Sequence, residues 1–314
     1  MKEYVYERLS GENLHNLIFL YQECFNVRIN LDFLKKKYNT APFGAAYVGY
    51  IAFEKETREV AGYYGVFPVL AKTSMKRNLL IAQSGDTMTH PRHQGRGLFT
   101  SLARMTYSLA GKEGINFVFG FPNENSYPGF KKKLKWEFYH NINHYAIKTG
   151  GLPFDKLFKK VARFYGMYEK FFRNKLKDYL VQDTFGNSLE RQSPDHGFIL
   201  HDEVFFKYKT FYPSYTIKIN KVLCVVKIDG RLWVGDVEYC SRETFIDIVD
   251  ELILLAKRIG CSSVHFSVSE GTSYDNILKE RFEVKSKIRA GYLNITGTVD
   301  PSEFVYQALD FDTY

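Results

Sequence analysis

The residues best suited to chemistry lie in one run, Asp86-Thr87-Met88-Thr89-His90-Pro91-Arg92-His93-Gln94-Gly95-Arg96-Gly97-Leu98-Phe99. A strand pattern from Leu79 to Thr89 enters a polar loop, and a helical pattern begins at Leu98. Gly95 and Gly97 let the backbone take positive φ and come close to a ligand. No acidic residue stands between Asp86 and Glu113, and the amides that open a helix have no acceptor within it. Arg92 and Arg96 add two guanidinium groups. Together these make an anion site, with pyrophosphate as its natural guest. A glycine turn without a ligand has the same spelling, so the glycines alone do not decide.

Regular elements must hold that loop. The helix from Leu98 is predicted to end at Gly111 and Gly114, and a strand to follow over 116–121. Upstream, Ala46–Phe53 and Val60–Leu70 read as strands joined by a polar turn over Glu54–Glu59. The plan then recurs. An offset of 172 residues lays Phe33 on Phe205, Lys35 on Lys207 and Lys37 on Lys209, and Gly62 matches Gly235 after a one-residue shift. The second copy has Val222–Ile228, an Asp229-Gly230 hairpin turn and Arg231–Tyr239. A helix over Arg242–Ile259 follows, with Phe245, Ile248, Val249, Leu252, Leu255 and Ala256 on its apolar face, then a strand over Ser263–Val268 and a short helix over Tyr274–Arg281. A long unit that occurs twice points to a duplicated α/β domain.

The chain has 314 residues, 45% hydrophobic and 25% charged, which suits a folded globular protein and not a disordered one. It has no apolar run long enough to span a membrane. Glu3, Glu7, Arg8 and Glu12 argue against a secretory signal, so a cytoplasmic protein is expected. Lys and Arg number 43 against 35 Asp and Glu, a net charge of +8, of which the stretch 153–180 supplies +5. A charge this local excludes a nucleic-acid-coating surface, and no nucleic-acid partner is expected. In that stretch Phe158, Val161, Phe164, Tyr165, Tyr168, Phe171, Phe172 and Leu176 fall largely on one helical face. The segment reads either as a helix lying on an anionic membrane or, the preferred reading, as a connecting helix packed on a domain. Cys24, Cys224, Cys240 and Cys261 form no C-x-x-C pair and match no zinc spacing, as packed thiols in a reducing compartment would. His140 and His144 share a strand face but have no further ligands near them in sequence, and no metal is expected.

The loop resembles the acyl-coenzyme A signature of the GNAT superfamily of N-acetyltransferases. There a strand, often ending in His-Pro, leads to Gln/Arg-x-x-Gly-x-Gly/Ala at the start of a helix. His90-Pro91 sets the frame and Gln94-Gly95-Arg96-Gly97-Leu98-Phe99 fills it, with Phe99 where Gly or Ala is usual. Arg92-x-x-Gly95-x-Gly97 also fits, two residues early against that frame. The run Gly120-Phe121-Pro122-Asn123-Glu124-Asn125-Ser126-Tyr127-Pro128-Gly129-Phe130 resembles the Asn-led loop and short helix after the superfamily's fifth strand. Leu134-Lys135-Trp136 stands where Leu-Gly-Phe opens the next strand. The resemblance covers about Leu79–Tyr139. It implies an α/β (α+β) fold of two tandem GNAT-like domains, each a twisted mixed β-sheet flanked by helices. Residues 1–150 would bind acyl-CoA, 151–194 would be a basic helical linker, and 195–314 would be a degenerate copy forming a wall or lid over the acceptor site.

The chemistry implied by the resemblance is transfer from acetyl-CoA to the primary amine of a small acceptor, an amino sugar or amino acid. The strand carrying Thr87–Thr89 would splay from that at 116–121, with pantetheine in the gap. Cofactor contacts would fall to Met88, Thr89, Arg92, Gln94, Gly95, Arg96, Gly97, Leu98, Phe99, Asn123, Asn125 and Ser126. Amides near Met88 and Thr89 would polarise the thioester carbonyl. Asn123 and Asn125 suit capping of the short helix equally well. Phe130 or Lys131 stands where the superfamily often has a Tyr that protonates the thiolate; Tyr127 is the substitute acid, and Asp86 the candidate base. The second copy has no glycine between Tyr239 and its helix. Ser241 reads as an N-cap, and Glu243 with Asp247 puts carboxylates where a phosphate would bind. Asp236 and Glu238 alternate on a strand and could meet a cationic acceptor. Two other functions fit some of these features: an aminoacyl-tRNA-dependent transferase of the tandem GNAT-like type, and a non-catalytic acyl-CoA-binding protein.

Overall fold

The computed structural model describes residues 3–151 and 162–314. The chain divides into two compact units, Met1–Tyr139 with Lys207–Phe211 and Ala290–Glu303, and His140–Phe206 with Tyr212–Arg289 and Phe304–Tyr314. The units interleave in sequence, so they differ from the contiguous spans 1–150, 151–194 and 195–314.

In the first unit β1 (Tyr4–Arg8), β2 (Val48–Glu54), β3 (Val60–Lys72) and β4 (Asn78–Thr89) are antiparallel neighbours in that order. Helices α1 (Asn16–Phe25) and α2 (Leu31–Lys37) lie between β1 and β2 in the chain, and α3 (Leu98–Lys112) leads from β4 to β5 (Phe117–Gly120), which pairs with β4 in parallel. A parallel neighbour needs such a crossover. β3 is buried along nearly all of its thirteen residues because both faces are covered. Tyr64 and Val66 join Leu98, Leu102, Ala103 and Tyr107 of α3 in one core. Tyr63 and Phe67 join Leu17, Leu20 and Tyr21 of α1 and Leu34 of α2 in the other. Lys207–Phe211 packs on α2: the Tyr208 hydroxyl donates to the Lys37 carbonyl at 2.9 Å, and the Phe33 and Phe211 rings meet at 6.3 Å.

The remaining strands are β6 (Glu137–Lys148), β7 (Phe198–Ile199), β8 (Tyr215–Ile219), β9 (Val222–Ile228), β10 (Leu232–Val237), β11 (Ser263–Ser269) and β12 (Ser286–Asn294). Their pairing departs from sequence order. The strand after β5 in the chain, β6, pairs with β11 in the second unit, while Gly291–Asn294 of β12 pair with β5 in the first. In the second unit β8, β9 and β10 form an antiparallel meander and β11 joins β10 in parallel. Its helices are α4 (Ala162–Leu176), α5 (Leu189–Gln192), α6 (Glu203–Tyr208), α7 (Arg242–Arg258) and α8 (Ser273–Arg281), α6 running into the first unit's segment. The order of three-stranded meander, helix and parallel strand therefore occurs in both units. The sequence reading sets β2–β3 against β9–β10; by their place before the crossover helix, β3–β4 stand where β9–β10 do.

The apolar face predicted for α7 is buried as expected, with Phe245, Ile248, Val249, Leu252, Leu255 and Ala256 in the core. Tyr168, Phe172 and Leu176 of α4 lie in the same core, at the i, i+4, i+8 spacing of one helix face. The basic stretch over 153–161 lies outside the described residues. Phe171, set with the buried face in the sequence reading, is exposed. Among the described residues no helix is long and apolar enough to cross a membrane.

Candidate active site

β4 and β5 pair only at Ala82 with Val118 and Gln83 with Phe119. β5 then ends at Gly120 while β4 continues to Thr89. Beyond Gln83 the β5 side of β4 therefore has no paired β5 residue among the described residues, in line with the splay that the resemblance implies. On its other side, Gly65 pairs with Gly85 and Tyr63 with Met88, so Asp86 and Thr87 stand together opposite Tyr64. This is a β-bulge, and Asp86 at its centre has φ of 52°. Lys37 Nζ lies 2.7 Å from Asp86 Oδ1, and the Tyr38 hydroxyl donates to Oδ2 at 3.0 Å. The lysine side chain is 1% exposed and the aspartate 8%. Burial, and then the Asp86 charge, push the Tyr38 phenol well above its ordinary value. Both Asp86 oxygens, on the residue expected as the candidate base, are thus engaged at the centre of the bulge. Met88 is buried in the core beside Tyr63, and the Thr89 backbone hydrogen-bonds Cys24, whose thiol is pushed up by burial against that bond.

Downstream, His90 caps a 3-10 turn over Pro91–His93 by accepting from the Arg92 amide. Gly95 and Gly97 take φ of 74° and 79°, and α3 begins with Gly97 as its N-cap, without a capping side chain and without an acid in the first turn. The amides of Gly95, Arg96, Gly97, Leu98, Phe99 and Thr100 donate to no protein acceptor among the described residues. Gln94, Gly95, Arg96 and Gly97 are all exposed, and Arg96 has no carboxylate partner among the described residues. Arg92 differs, since its guanidinium is paired with Glu59. One of the two expected guanidinium groups is therefore engaged and the other free. Leu98 is buried, and its side chain anchors the helix start in the core.

The short helix after β5 is capped from within. Asn123 Oδ1 accepts from the amides of Asn125 at 3.1 Å and Ser126 at 3.0 Å, and the Ser126 hydroxyl also reaches Asn123. Asn123 and Ser126 are thus cap residues, while Asn125 is exposed. Tyr127 packs against Phe138 with ring centroids 4.8 Å apart, and Lys131 Nζ lies 5.6 Å from its ring. A π-helical turn over Gly129–Lys133 follows. The Phe99 ring reaches this turn, 5.3 Å from Phe130, and a Cβ on Gly129 would come within 3.1 Å of it. The unusual Phe99 therefore ties the α3 start to the turn after β5. Lys135 has φ of 61°, at the place where the resemblance puts Gly, between buried Leu134 and Trp136. Trp136 Nε1 donates to the Tyr107 hydroxyl at 3.0 Å; Tyr107 and Tyr64 are 2.7 Å apart, and Tyr64 and Ser84 2.8 Å. The chain of hydroxyls ends at Ser84, one residue past the last β4–β5 pair.

Three residues here escaped the sequence reading. Lys37 and Tyr38 lie 49 and 48 positions from Asp86, and only the repeat carrying Lys37 marked that segment. Gln83 Nε2 is buried with no hydrogen-bond partner among the described residues, at the point where the strands part. Its signal was a lone amide after Leu79-Leu80-Ile81-Ala82.

The second unit's helix start is closed. The Ser241 side chain accepts from the Thr244 amide, and Glu243 lies in the first turn. Its carboxyl is held below the usual range by a backbone hydrogen bond and by the Ser241 hydroxyl. Asp236 and Glu238 do not present a face to an acceptor. Asp236 is buried against Ser188 and 3.4 Å from His201 Nδ1, and Glu238 Oε2 accepts from the Leu223 amide at 3.0 Å. A bulge between Val234 and Asp236 turns the strand there. His201 Nε2 lies 2.8 Å from Asp310 Oδ1. Burial alone would discharge this imidazole, but the two carboxylates outweigh it and raise it to about 9. His144 and His140 do not converge: His144 bonds His265 at 3.1 Å and Ser267 at 3.0 Å, while the His140 ring meets His196 edge-on at 6.5 Å.

Among the described residues, Glu59, His90 and His93 offer ligand atoms within 4.8 Å of one another. The Nδ1 atoms of His90 and His93 and the Glu59 carboxylate also fasten the turn. His90 Nδ1 accepts from the Arg92 amide at 3.2 Å, His93 Nδ1 lies 3.0 Å from the Tyr4 hydroxyl, and Glu59 holds the Arg92 guanidinium.

Residues 6–139 match the family model described as an acetyltransferase (GNAT) domain. No curated protein matches the chain. Among solved structures, a GCN5-related N-acetyltransferase from Kribbella flavida is similar at 12% identity and TM-score 0.60, over 94% of this chain and 72% of that one. A probable N-acyltransferase of unknown function from Enterococcus faecalis is similar at 11% identity and TM-score 0.62, over 94% and 73%. A putative acetyltransferase from Pyrococcus horikoshii is similar at 13% identity and TM-score 0.54, over 98% and 94%. Identities this low speak for the fold. With its meander, its crossover helix behind the glycine loop and its parted β4 and β5, the first unit has the fold of the GNAT acetyltransferases.

Proposed function

We propose that the protein is an N-acetyltransferase that transfers the acetyl group of acetyl-CoA to the primary amine of a small acceptor, an amino sugar or amino acid. The observation that carries this reading is the uncapped, acid-free start of α3 behind Gly95 and Gly97, placed beside the gap between β4 and β5. A pyrophosphate there accepts from the run of amides at Gly95–Thr100 and pairs with Arg96, with the helix dipole adding to the attraction. Arg92, held by Glu59, frames the loop, and Gln94 lies at its mouth. The pantetheine arm runs along the free side of β4 past Met88 and Thr89, and Asn125 stands at the rim of the same gap. The neutral amine nitrogen attacks the thioester carbonyl carbon and gives up a proton to solvent, the C–S bond breaks, and the thiolate takes a proton from Tyr127, which solvent then reprotonates. Asp86 acts here as a positioning residue: with Lys37 and Tyr38 it holds the bulge that aims the β4 backbone. The second unit is read as a degenerate GNAT-like domain, supported by its recurring strand order and by the capped start of α7.

Calorimetric titration with acetyl-CoA tests the donor site. One-to-one binding at micromolar concentration is expected for the natural chain, and Gly97→Glu should abolish it by placing a carboxylate at the helix start. Absence of binding in the natural chain would remove acetyl-CoA as donor. With binding shown, turnover across a panel of amino sugars and amino acids identifies the acceptor.

A further inference from the structure

The second unit holds a cavity unrelated to its closed helix start. It measures about 1190 Å³ and lies where Ala146–Lys148 of β6, Ser262 and the start of β11, and the link Arg281–Lys285 between α8 and β12 come together. Four cationic side chains line it, Lys148, Arg231, Arg281 and Lys285, against one carboxylate, Glu283. Arg231 is 3.5 Å from Asp229 and Arg281 is 2.6 Å from Asp250, but Lys148 and Lys285 have no acidic partner among the described residues. Ser262 and Ser263 add hydroxyls. His265 donates no charge: burial, His144 and Arg231 hold it at about 4, so it is neutral at neutral pH. Ile147, Phe282 and Val284 line the same cavity and give it an apolar wall. The link is tied down where it meets β6, the Lys285 amide donating to the His144 carbonyl at 2.8 Å.

We propose that this cavity binds an organic phosphate or diphosphate. Two lysines without carboxylates attract a compact, multiply charged anion; Arg231 keeps donors beyond its Asp229 contact, and Arg281, which bonds Asp250 and the Ile246 carbonyl, keeps others among its five. The volume exceeds the usual range for ligand cavities, roughly 300–1,000 Å³, and is well beyond what a bare pyrophosphate fills. The apolar wall therefore takes an uncharged organic portion while the charged end lies on the lysines. The site is distinct from the glycine loop, and it does not depend on acetyl-CoA being the donor substrate.

The test is calorimetric titration of the full chain with UDP and, separately, with inorganic pyrophosphate, in low and moderate salt. UDP is expected to bind one-to-one, more tightly than pyrophosphate, and more weakly as salt is raised. Gly97→Glu should leave this binding unchanged. The double variant Lys148→Glu, Lys285→Glu should weaken it at least ~10-fold, the loss of roughly one charge-assisted bond; both lysines are exposed, so the fold is not at stake. Absence of UDP binding, equal affinity in the double variant, or loss of binding in Gly97→Glu would each overturn the proposal.

Discussion

Lys37 is a buried lysine paired with Asp86 at the bulge of β4. A lysine sealed from water is tolerable only because Asp86 meets it and Tyr38 satisfies the second oxygen. Lys37→Met removes the charge but strands the carboxylate, and is expected to cost about 3–5 kcal/mol in urea unfolding. Such a loss would appear as a lower midpoint with an unchanged slope. Lys135 makes the opposite case. Its left-handed backbone strains a residue with a Cβ by about 1–2 kcal/mol, and a glycine there gives back roughly 0.5–1 kcal/mol in chain entropy. Lys135→Gly should therefore raise unfolding stability by up to about 1 kcal/mol, measurable by the same titration. An unchanged or lower midpoint would show that the strain is relieved elsewhere. The resemblance in sequence located this position through its neighbours, since Leu134 and Trp136 are apolar and buried while the residue between them is not the expected glycine.

At the scale of the element, α4 separates two readings that composition left open. A helix lying on a membrane offers its apolar face to lipid, whereas here Tyr168, Phe172 and Leu176 are already in the core of the second unit. Phe172→Ala should cost about 3–5 kcal/mol in stability. Binding to vesicles of anionic lipid should be weak in the natural chain and no weaker in the variant. A loss of vesicle binding at unchanged stability would reverse the assignment. α3 and α7 make a second contrast, because helices of similar length after similar meanders differ at their first turn. One begins at a left-handed glycine with bare amides, the other at a serine cap with a glutamate. Hydrogen bonding at that turn, not the helix itself, decides whether an anion is welcome.

For the molecule as a whole, the C-terminal residues are held by a buried charge. His201 lies between Asp236 and Asp310, and the phenol of Tyr314 donates to the Val225 carbonyl at 3.0 Å. With its imidazole raised from an ordinary 6.5 to about 9, His201 stabilises the fold fully below pH 6.5. That contribution declines as the pH rises and is lost above about 9. It is on the order of 3 kcal/mol for a shift of this size. The melting temperature should fall between pH 7 and 9.5, and His201→Gln should flatten that part of the profile. A variant that keeps the same slope would place the titrating group elsewhere.

Local periodicity and turn chemistry were enough to find α3, α7, α8, β5 and β11, because an apolar face or a glycine stop is written within a few residues. The glycine loop was legible for the same reason: positive φ and bare amides are properties of a short segment. Pairing over long separations was not. That β6 joins β11 and β12 joins β5 is written in neither segment, because β-strands carry no label of their partner. The surroundings of Asp86 were also decided by the fold. A carboxylate at a strand end reads as solvated or catalytic until a lysine from a distant helix is brought to it and burial makes the pair obligatory. The amino-acid sequence by itself determined α3, α7, α8, β5, β11 and the glycine loop, since these rest on local backbone geometry. Tertiary structure alone decided the exchange of strands, the bulge anchored by Lys37 and the closed second helix start, since each depends on contacts between residues far apart in the chain.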